Sequence, residues 1–104
     1  MDLIFAALAN KGRRELLDAL YLRNGQTLGE LCDVLDMSRQ AVSKHLGILE
    51  DAELVITLRE GREKLHYLNP LPIQAISERW IKKFEQRRLE ALSALKTILE
   101  ERKE

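Results

Sequence analysis

The sequence holds one cysteine, two histidines, two prolines and no net charge. A lone cysteine cannot form an internal disulfide, so the reducing cytosol is the expected compartment. One thiol and two imidazoles are a thin stock of metal ligands, which argues against a zinc-type site. Seventeen basic residues oppose seventeen acidic ones, so no whole-chain excess points to nucleic acid or to a membrane surface. Any case for DNA binding must therefore rest on where the charges sit. Long apolar runs are missing as well. The run near the start, Leu3 to Ala9, covers seven residues and follows an acid. It is too short for a bilayer and wrongly flanked for a signal peptide, so neither secretion nor membrane spanning is expected.

What is there fits one folded domain. The chain has 104 residues, 45% of them hydrophobic and 33% charged, a length and balance typical of a single soluble domain with a modest core. No internal repeat or low-complexity tract appears, and turn signals divide the chain into five helical stretches and one hairpin. Asp2 can cap a short helix to about Ala9, which Asn10-Lys11-Gly12 interrupts. A second helix, Arg13 to Leu22, places Leu16, Leu17 and Leu20 on one face, and Asn24-Gly25 ends it. Thr27-Leu28-Gly29-Glu30 reads as a capping box for a third helix, whose Leu28, Leu31, Cys32 and Leu35 form one stripe. After the tight turn at Asp36-Met37, Ser38 caps a fourth helix ending near Ala52, with Met37 and Val42 placed as a hydrophobic staple. From Leu54 the period becomes alternating. Leu54, Ile56 and Leu58 interleave with Val55, Thr57 and Arg59 as a strand, Glu60-Gly61-Arg62 turns, and Lys64 to Leu68 returns. Asn69, Pro70 and Pro72 open the last helix.

Two helices joined by a tight turn, the second followed by a hairpin, have the order of a winged helix-turn-helix. The helical wheel of the fourth helix sharpens this. With Arg39 at zero, Ser43 falls at about 40°, Gly47 at about 80°, Gln40 at about 100° and Lys44 at about 140°. Ala41, Val42, His45, Leu46, Ile48 and Leu49 all lie between about 180° and 340°. The exposed arc thus offers a guanidinium, an amide, a hydroxyl and an ammonium, the groups that read base edges or hold phosphates. It meets no acid until Glu50, about 16 Å along the axis. Gly47 at its centre would let a DNA backbone come close. A solvated amphipathic face is the plainer alternative for this helix taken alone. The hairpin tip adds Arg59, Arg62 and Lys64, with Glu60 and Glu63 among them, as a candidate phosphate contact or a merely solvated turn. Arg13 and Arg14 could anchor phosphate or serve only as surface charge.

The run TLGELCDVLDMSRQAVSKHLGILEDAELV followed by REGREKLHYLN resembles the ArsR family of winged-helix repressors, over residues 2 to about 72. The motif core at Ser38 to Leu46 and the wing at Gly61 to Asn69 carry the likeness. The opening FAALANKGRRELLDAL is similar to the family's F-x-A-L-A-D-P-T-R-R segment, with Asn10, Lys11 and Gly12 in place of Asp, Pro and Thr. The resemblance implies a cytoplasmic, bacterial or archaeal homodimer that binds an inverted repeat near its own promoter.

Many members of that family sense metals, but the residues for it are missing here. The stretch matching the arsenic-type Cys-x-Cys is Leu31-Cys32-Asp33-Val34, with one thiol, and residues 70–104 contain no histidine. No metal and no cofactor is expected. Cys32 on the leucine stripe is read as core packing, His45 as a hydrogen-bonded core histidine, and His66 as a surface or edge residue. No nucleophile–base pair or phosphate loop points to an enzyme.

A continuous helix from Leu71 to about Arg102 would run about 45 Å, longer than the diameter of about 34 Å of a compact globule this size. Its apolar face holds Ile73, Ile76, Trp80, Ile81 and Phe84, then Ala91, Leu92, Leu95, Ile98 and Leu99. Pairing with the same helix of a second copy, with Ile4, Phe5 and Leu8 nearby, would cover it. The alternative is a tail bent into two helices or frayed beyond Glu85. The expected protein is mainly α with a small β-hairpin, in the order α-α-α-α-β-β-α. Residues 1–69 would form the winged helix-turn-helix and 70–104 a dimerisation helix of the same domain. Ser38, Arg39, Gln40, Ser43, Lys44, Arg59, Arg62, Lys64 and Arg14 are its candidate DNA contacts. A winged-helix protein-interaction module that binds no specific DNA is the competing reading, kept open by the zero net charge.

Overall fold

The computed structural model describes residues 1–82 and 85–102. Among them the order is α1 (Asp2–Leu8), α2 (Lys11–Leu22), α3 (Leu28–Val34), α4 (Arg39–Asp51), β1 (Val55–Glu60), β2 (Glu63–Leu68), α5 (Leu71–Trp80) and α6 (Glu85–Glu101). This is a winged helix-turn-helix, with α3 and α4 as the motif and the β1–β2 hairpin as the wing. The chain forms two compact units, Met1–Pro72 and Ile73–Glu104. No helix among the described residues is long and apolar enough to cross a membrane.

Local chemistry sets the boundaries in the first unit. The α1 cap is Met1 rather than Asp2, which lies in the first turn, where its carboxylate favours the positive helix end. Asn10 caps α2, its side chain accepting from the Arg13 amide at 3.1 Å, so this helix begins two residues before Arg13. Gly12 sits in its first turn because space is short. A Cβ there would stand 3.1 Å from Asn10 Oδ1, 3.2 Å from Met37 Sδ and 3.3 Å from His45 Nε2. The capping box is formed at both ends: the Glu30 amide donates to Thr27 Oγ1 at 3.2 Å, and the Thr27 amide to Glu30 Oε1 at 3.1 Å. These bonds, with Arg23 beside the carboxylate, hold the Glu30 pKa below its ordinary value.

The core is a leucine cluster. Leu16, Leu20, Leu31, Leu49, Leu54 and Val42 are fully buried, drawn from α2, from both helices of the motif and from the entry to the wing. Each such side chain contributes about 1.5–3 kcal/mol by leaving water. Cys32 packs partly buried against this cluster.

The wing is antiparallel, with Val55 opposite Leu68, Thr57 opposite His66 and Arg59 opposite Lys64 on one face. That face is the inner one, since Val55 and His66 are buried while Ile56 and Leu58 are more than half exposed. His66 is thus not the surface or edge residue expected from sequence. Its ring Nδ1–H donates to Gln26 O at 2.9 Å, and its amide reaches the same carbonyl at 2.9 Å. The Gly25 amide donates to His66 O at 2.9 Å and the Leu68 amide to Asn24 Oδ1 at 2.8 Å, so residues 24–26 run along β2 as a third short edge. Gly25 is required there: its φ is +80°, and a Cβ would meet the Tyr67 ring oxygen at 3.1 Å.

The single last helix expected from sequence is two helices among the described residues. Ile81 lies in a turn, although its amide still donates to Ser77 O at 2.8 Å, and α6 starts at Glu85. The helix before it ends at Trp80, where Lys82 reaches back to Glu78 at 3.4 Å. Along α6, Leu89, Leu92, Leu95, Ile98 and Leu99 are about half exposed.

The end of α4 generates a prediction. Glu53 has φ 59°, the left-handed conformation that glycine usually supplies after a helix. Its backbone is engaged, the amide donating to Glu50 O at 2.9 Å and the carbonyl accepting from Asn69 Nδ2 at 2.8 Å. Glu53→Gly should keep these bonds and stabilise the fold by about 0.5–1 kcal/mol. Urea denaturation of both proteins checks this, and a lower midpoint for the variant would contradict it.

Candidate nucleic-acid interface

The candidate interface is built on α4. Ser38 caps it by accepting from the Ala41 amide at 3.1 Å, which still leaves the exposed hydroxyl its O–H to donate. Val42, Leu46 and Leu49 face the core, while Arg39, Gln40, Ser43 and Lys44 are exposed on the other side. With Leu28 these four line a shallow hollow of about 440 Å³. No hydrogen bond or ion pair among the described residues occupies their side chains. At Gly47 an added Cβ would find open space, so the centre of the arc is unobstructed. The acid that closes the arc, Glu50, is turned to the wing, where Lys64 Nζ lies 3.0 Å from its Oε1.

That ion pair separates the three wing cations. Arg59 and Arg62 are exposed at and beside the hairpin turn, whereas Lys64 spends part of its charge on α4. Arg14 is exposed too, with Nη1 donating to Leu8 O at 2.8 Å. Arg13 is neither a phosphate anchor nor surface charge. It is half-buried, with Nε donating to Ala7 O at 2.8 Å, Nη2 to Ala6 O at 3.2 Å and Nη1 to His45 Nδ1 at 3.2 Å. A guanidinium can only donate, so the His45 ring accepts at Nδ1 and is neutral. Burial lowers the His45 pKa below the ordinary 6.5, and the nearby charges of Arg13 and Lys44 push it the same way.

Sequence reasoning missed two parts of this site, the Arg13–His45 contact and the Gln26–His66 pinning of the wing. His45 on the buried arc hinted at the first. For the second, the only hint was Gln26 directly after the Asn24-Gly25 turn. The expected dimer residues divide between the units. Ile4 and Leu8 pack partly on the core, and Phe5 is 44% exposed. In the second unit Ile73, Trp80, Ile81, Leu92 and Leu95 are exposed and Ile76 is half-buried. Phe84 lies outside the described residues. Among those residues no group of three or more His, Cys, Asp or Glu is placed to hold a metal ion.

Comparison with known proteins agrees with this geometry. A helix-turn-helix domain model matches residues 8–57, from the end of α1 into β1. The HTH-type transcriptional regulator YuzN of Bacillus subtilis, itself uncharacterized, is 41% identical over 86 residues, spanning 77% of this chain and 94% of its own. The transcriptional repressor SdpR of the same organism is 32% identical over 75 residues, 71% of this chain and 81% of its own. An ArsR-like transcriptional regulator from Rhodococcus sp. RHA1 superposes with a TM-score of 0.72 at 31% identity, covering 96% of this chain and 90% of that one. The chain belongs to the ArsR family. As a member of the ArsR family it is a transcriptional regulator with a helix-turn-helix domain, and not an enzyme. In this ArsR chain Gly12 fits the narrow space beside Met37 and His45.

The His45 contact sets a pH dependence. Because its folded pKa is lowered, the unfolded chain takes up the proton first. The stability held by the neutral ring is complete well above pH 6.5 and falls as pH drops from there through the lower folded value. His45→Gln keeps an acceptor for Arg13 without titrating, so its stability should fall less over that window. Thermal unfolding from pH 8 to pH 5 compares the two, and parallel curves would remove His45 from the account.

Proposed function

We propose that the protein is a homodimeric repressor that binds an inverted-repeat operator in the cytoplasm. The observation that carries this reading is the α4 face, where Arg39, Gln40, Ser43 and Lys44 stand exposed and unengaged beside an open Gly47. In a chain with no net charge, such an acid-poor strip suits a major groove. Arg39 and Gln40 would read base edges, and Ser43 and Lys44 would divide between bases and phosphates. Ser38 would hold phosphate at the start of α4, as would Arg14 from α2. Arg59 and Arg62 would lie on the flanking backbone, with Lys64 contributing less because Glu50 neutralises part of it. Residues 1–69 would serve as the DNA-binding part, and residues 70–104, with α1, as the dimerisation part. Repression needs only that a bound dimer occupy promoter DNA, and the related SdpR is named as a repressor.

Arg39→Ala or Gln40→Ala should cost about 1–3 kcal/mol of operator affinity and relax base preference locally. Arg62→Ala should weaken binding to all sequences alike and reduce the salt slope by about one. Selection from a random DNA pool followed by titration measures both. Uniform loss of affinity in the Arg39 variant, with selectivity intact, would show that α4 does not read bases.

Two half-sites set about 34 Å apart require a fixed dimer. Ile81 is 62% exposed in the single chain, so Ile81→Asp should leave the fold of the protomer intact. In a dimer interface it would bury an unpaired carboxylate at a cost of several kcal/mol. Light scattering should report a monomer, and affinity for the full operator should fall by orders of magnitude while weak half-site binding survives. A monomeric variant that holds the full operator as tightly as the parent would sever dimerisation from recognition.

A further inference from the structure

A second hollow, of about 470 Å³, lies between α2 and the end of α3, within the first unit and apart from the α4 arc. Its walls are apolar: Ala19 and Leu22 from α2, Val34 from the end of α3 and Leu35 just after it. Leu22 is 82% exposed and Val34 61%, so the fold itself leaves these walls in water. The rim is anionic. Glu15, Asp18 and Asp36 supply three carboxylates, of which Glu15 alone meets a cation, Lys11, in an exposed pair at 3.9 Å. The one cation at the edge, Arg23, is ion-paired with Glu30. No basic residue stands in the last turn of α2 or of α3.

We propose that this hollow is a binding site for a small organic cation with apolar substituents, and that its occupancy regulates DNA affinity. Each alternative ligand fails on one feature. An anion would face three carboxylates. A strongly hydrated metal ion or polyamine gains nothing from Leu22 and Val34. An uncharged apolar molecule would leave the rim unused. A weakly hydrated ammonium carrying a ring or alkyl groups satisfies both walls and rim, and the volume lies within the range of small-molecule sites.

Gln26 supplies the link to DNA. Its side-chain amide closes the floor of the hollow by donating to Ala19 O at 3.1 Å and Arg23 O at 2.7 Å. Its backbone carbonyl holds the amide and the ring of His66, which anchor the wing. A ligand that shifts this residue therefore shifts the base of the hairpin. The regulatory part rests on the DNA reading above; the binding part does not.

Titration of the intact protein with benzyltrimethylammonium, followed by amide NMR, tests the site without DNA. One cation per chain should bind with saturation, with shifts centred on Ala19, Leu22, Val34 and Leu35. Tetramethylammonium and benzyl alcohol, each carrying half of the required chemistry, should bind much more weakly. Asp18 and Asp36 are exposed, so Asp18→Asn with Asp36→Asn should leave the thermal midpoint in place and weaken the cation about tenfold. No saturation, shifts elsewhere, or equal affinity in the double variant would overturn the site. Operator titration with and without the cation tests the link, and an unchanged affinity in a cation-saturated protein would overturn the regulation. If the parent binds no DNA at all, the proposed function and the link both fail, while the site is still decided by the cation titration.

Discussion

A helix as short as α1 leaves most of its carbonyls without intrahelical donors and is too short to persist alone in water. Here two neighbouring arginines complete it. Arg13 takes the carbonyls of Ala6 and Ala7, and Arg14 takes that of Leu8. The remaining nitrogen of Arg13 lies on the His45 ring, on the inner face of α4. One guanidinium therefore joins α1, α2 and α4. The helix proposed to read DNA and the helix proposed to help form the dimer are placed by the same side chain. The closeness of Gly12 to His45 and Met37 follows from it, since a bulkier residue there would push the ring away from Arg13.

The wing depends on a comparable device. A two-stranded hairpin is marginal by itself in water, and this one has four apolar side chains, Ile56, Leu58, Leu65 and Tyr67, on its outer face. It holds because residues 24–26 run along β2 and because the buried His66 ring is satisfied by Gln26 O. Lys64 adds a tie from the hairpin to Glu50 at the end of α4. The wing is thus fixed at its base from α2 and along its length from α4. Its tip, with Arg59 and Arg62, is left for contact with something outside the chain.

Where sequence and structure agree, a local rule decided the outcome. The capping box at Thr27–Glu30, the Ser38 cap and the buried face of α4 each follow from residues within a turn or two of one another. The exposed arc from Arg39 to Lys44 was legible for the same reason. Agreement ends where the decision is non-local. The alternation of residues 54–59 marks a strand but not its inward side, because Ile56 and Leu58 compete with Val55 and Thr57. Register with β2 and the bond to Gln26 settle it in favour of Val55, Thr57 and His66. Arg13 reads as a phosphate anchor or as surface charge until the end of α1 is known to lie beside it. The tail reads as one helix because its apolar spacing continues on both sides of Ile81, and spacing alone does not mark where a helix ends.

Zero net charge hides a local unevenness in where the charges sit. The α4 arc holds Arg39 and Lys44, and the acid that closes it, Glu50, is occupied by Lys64, while Arg59 and Arg62 stand at the wing tip with Glu60 and Glu63. Carboxylates gather elsewhere, with Glu15, Asp18 and Asp36 around the hollow between α2 and α3. A DNA surface experiences the local field and not the sum, since charges beyond about 10 Å are screened at ordinary salt. Balanced composition then has a use of its own. A chain with a large positive excess would hold any DNA strongly, whereas one with balanced charge relies on base contacts for a larger share of its affinity. In the proposed reading such a protein gives up non-specific grip, and its selectivity would rest the more on Arg39 and Gln40.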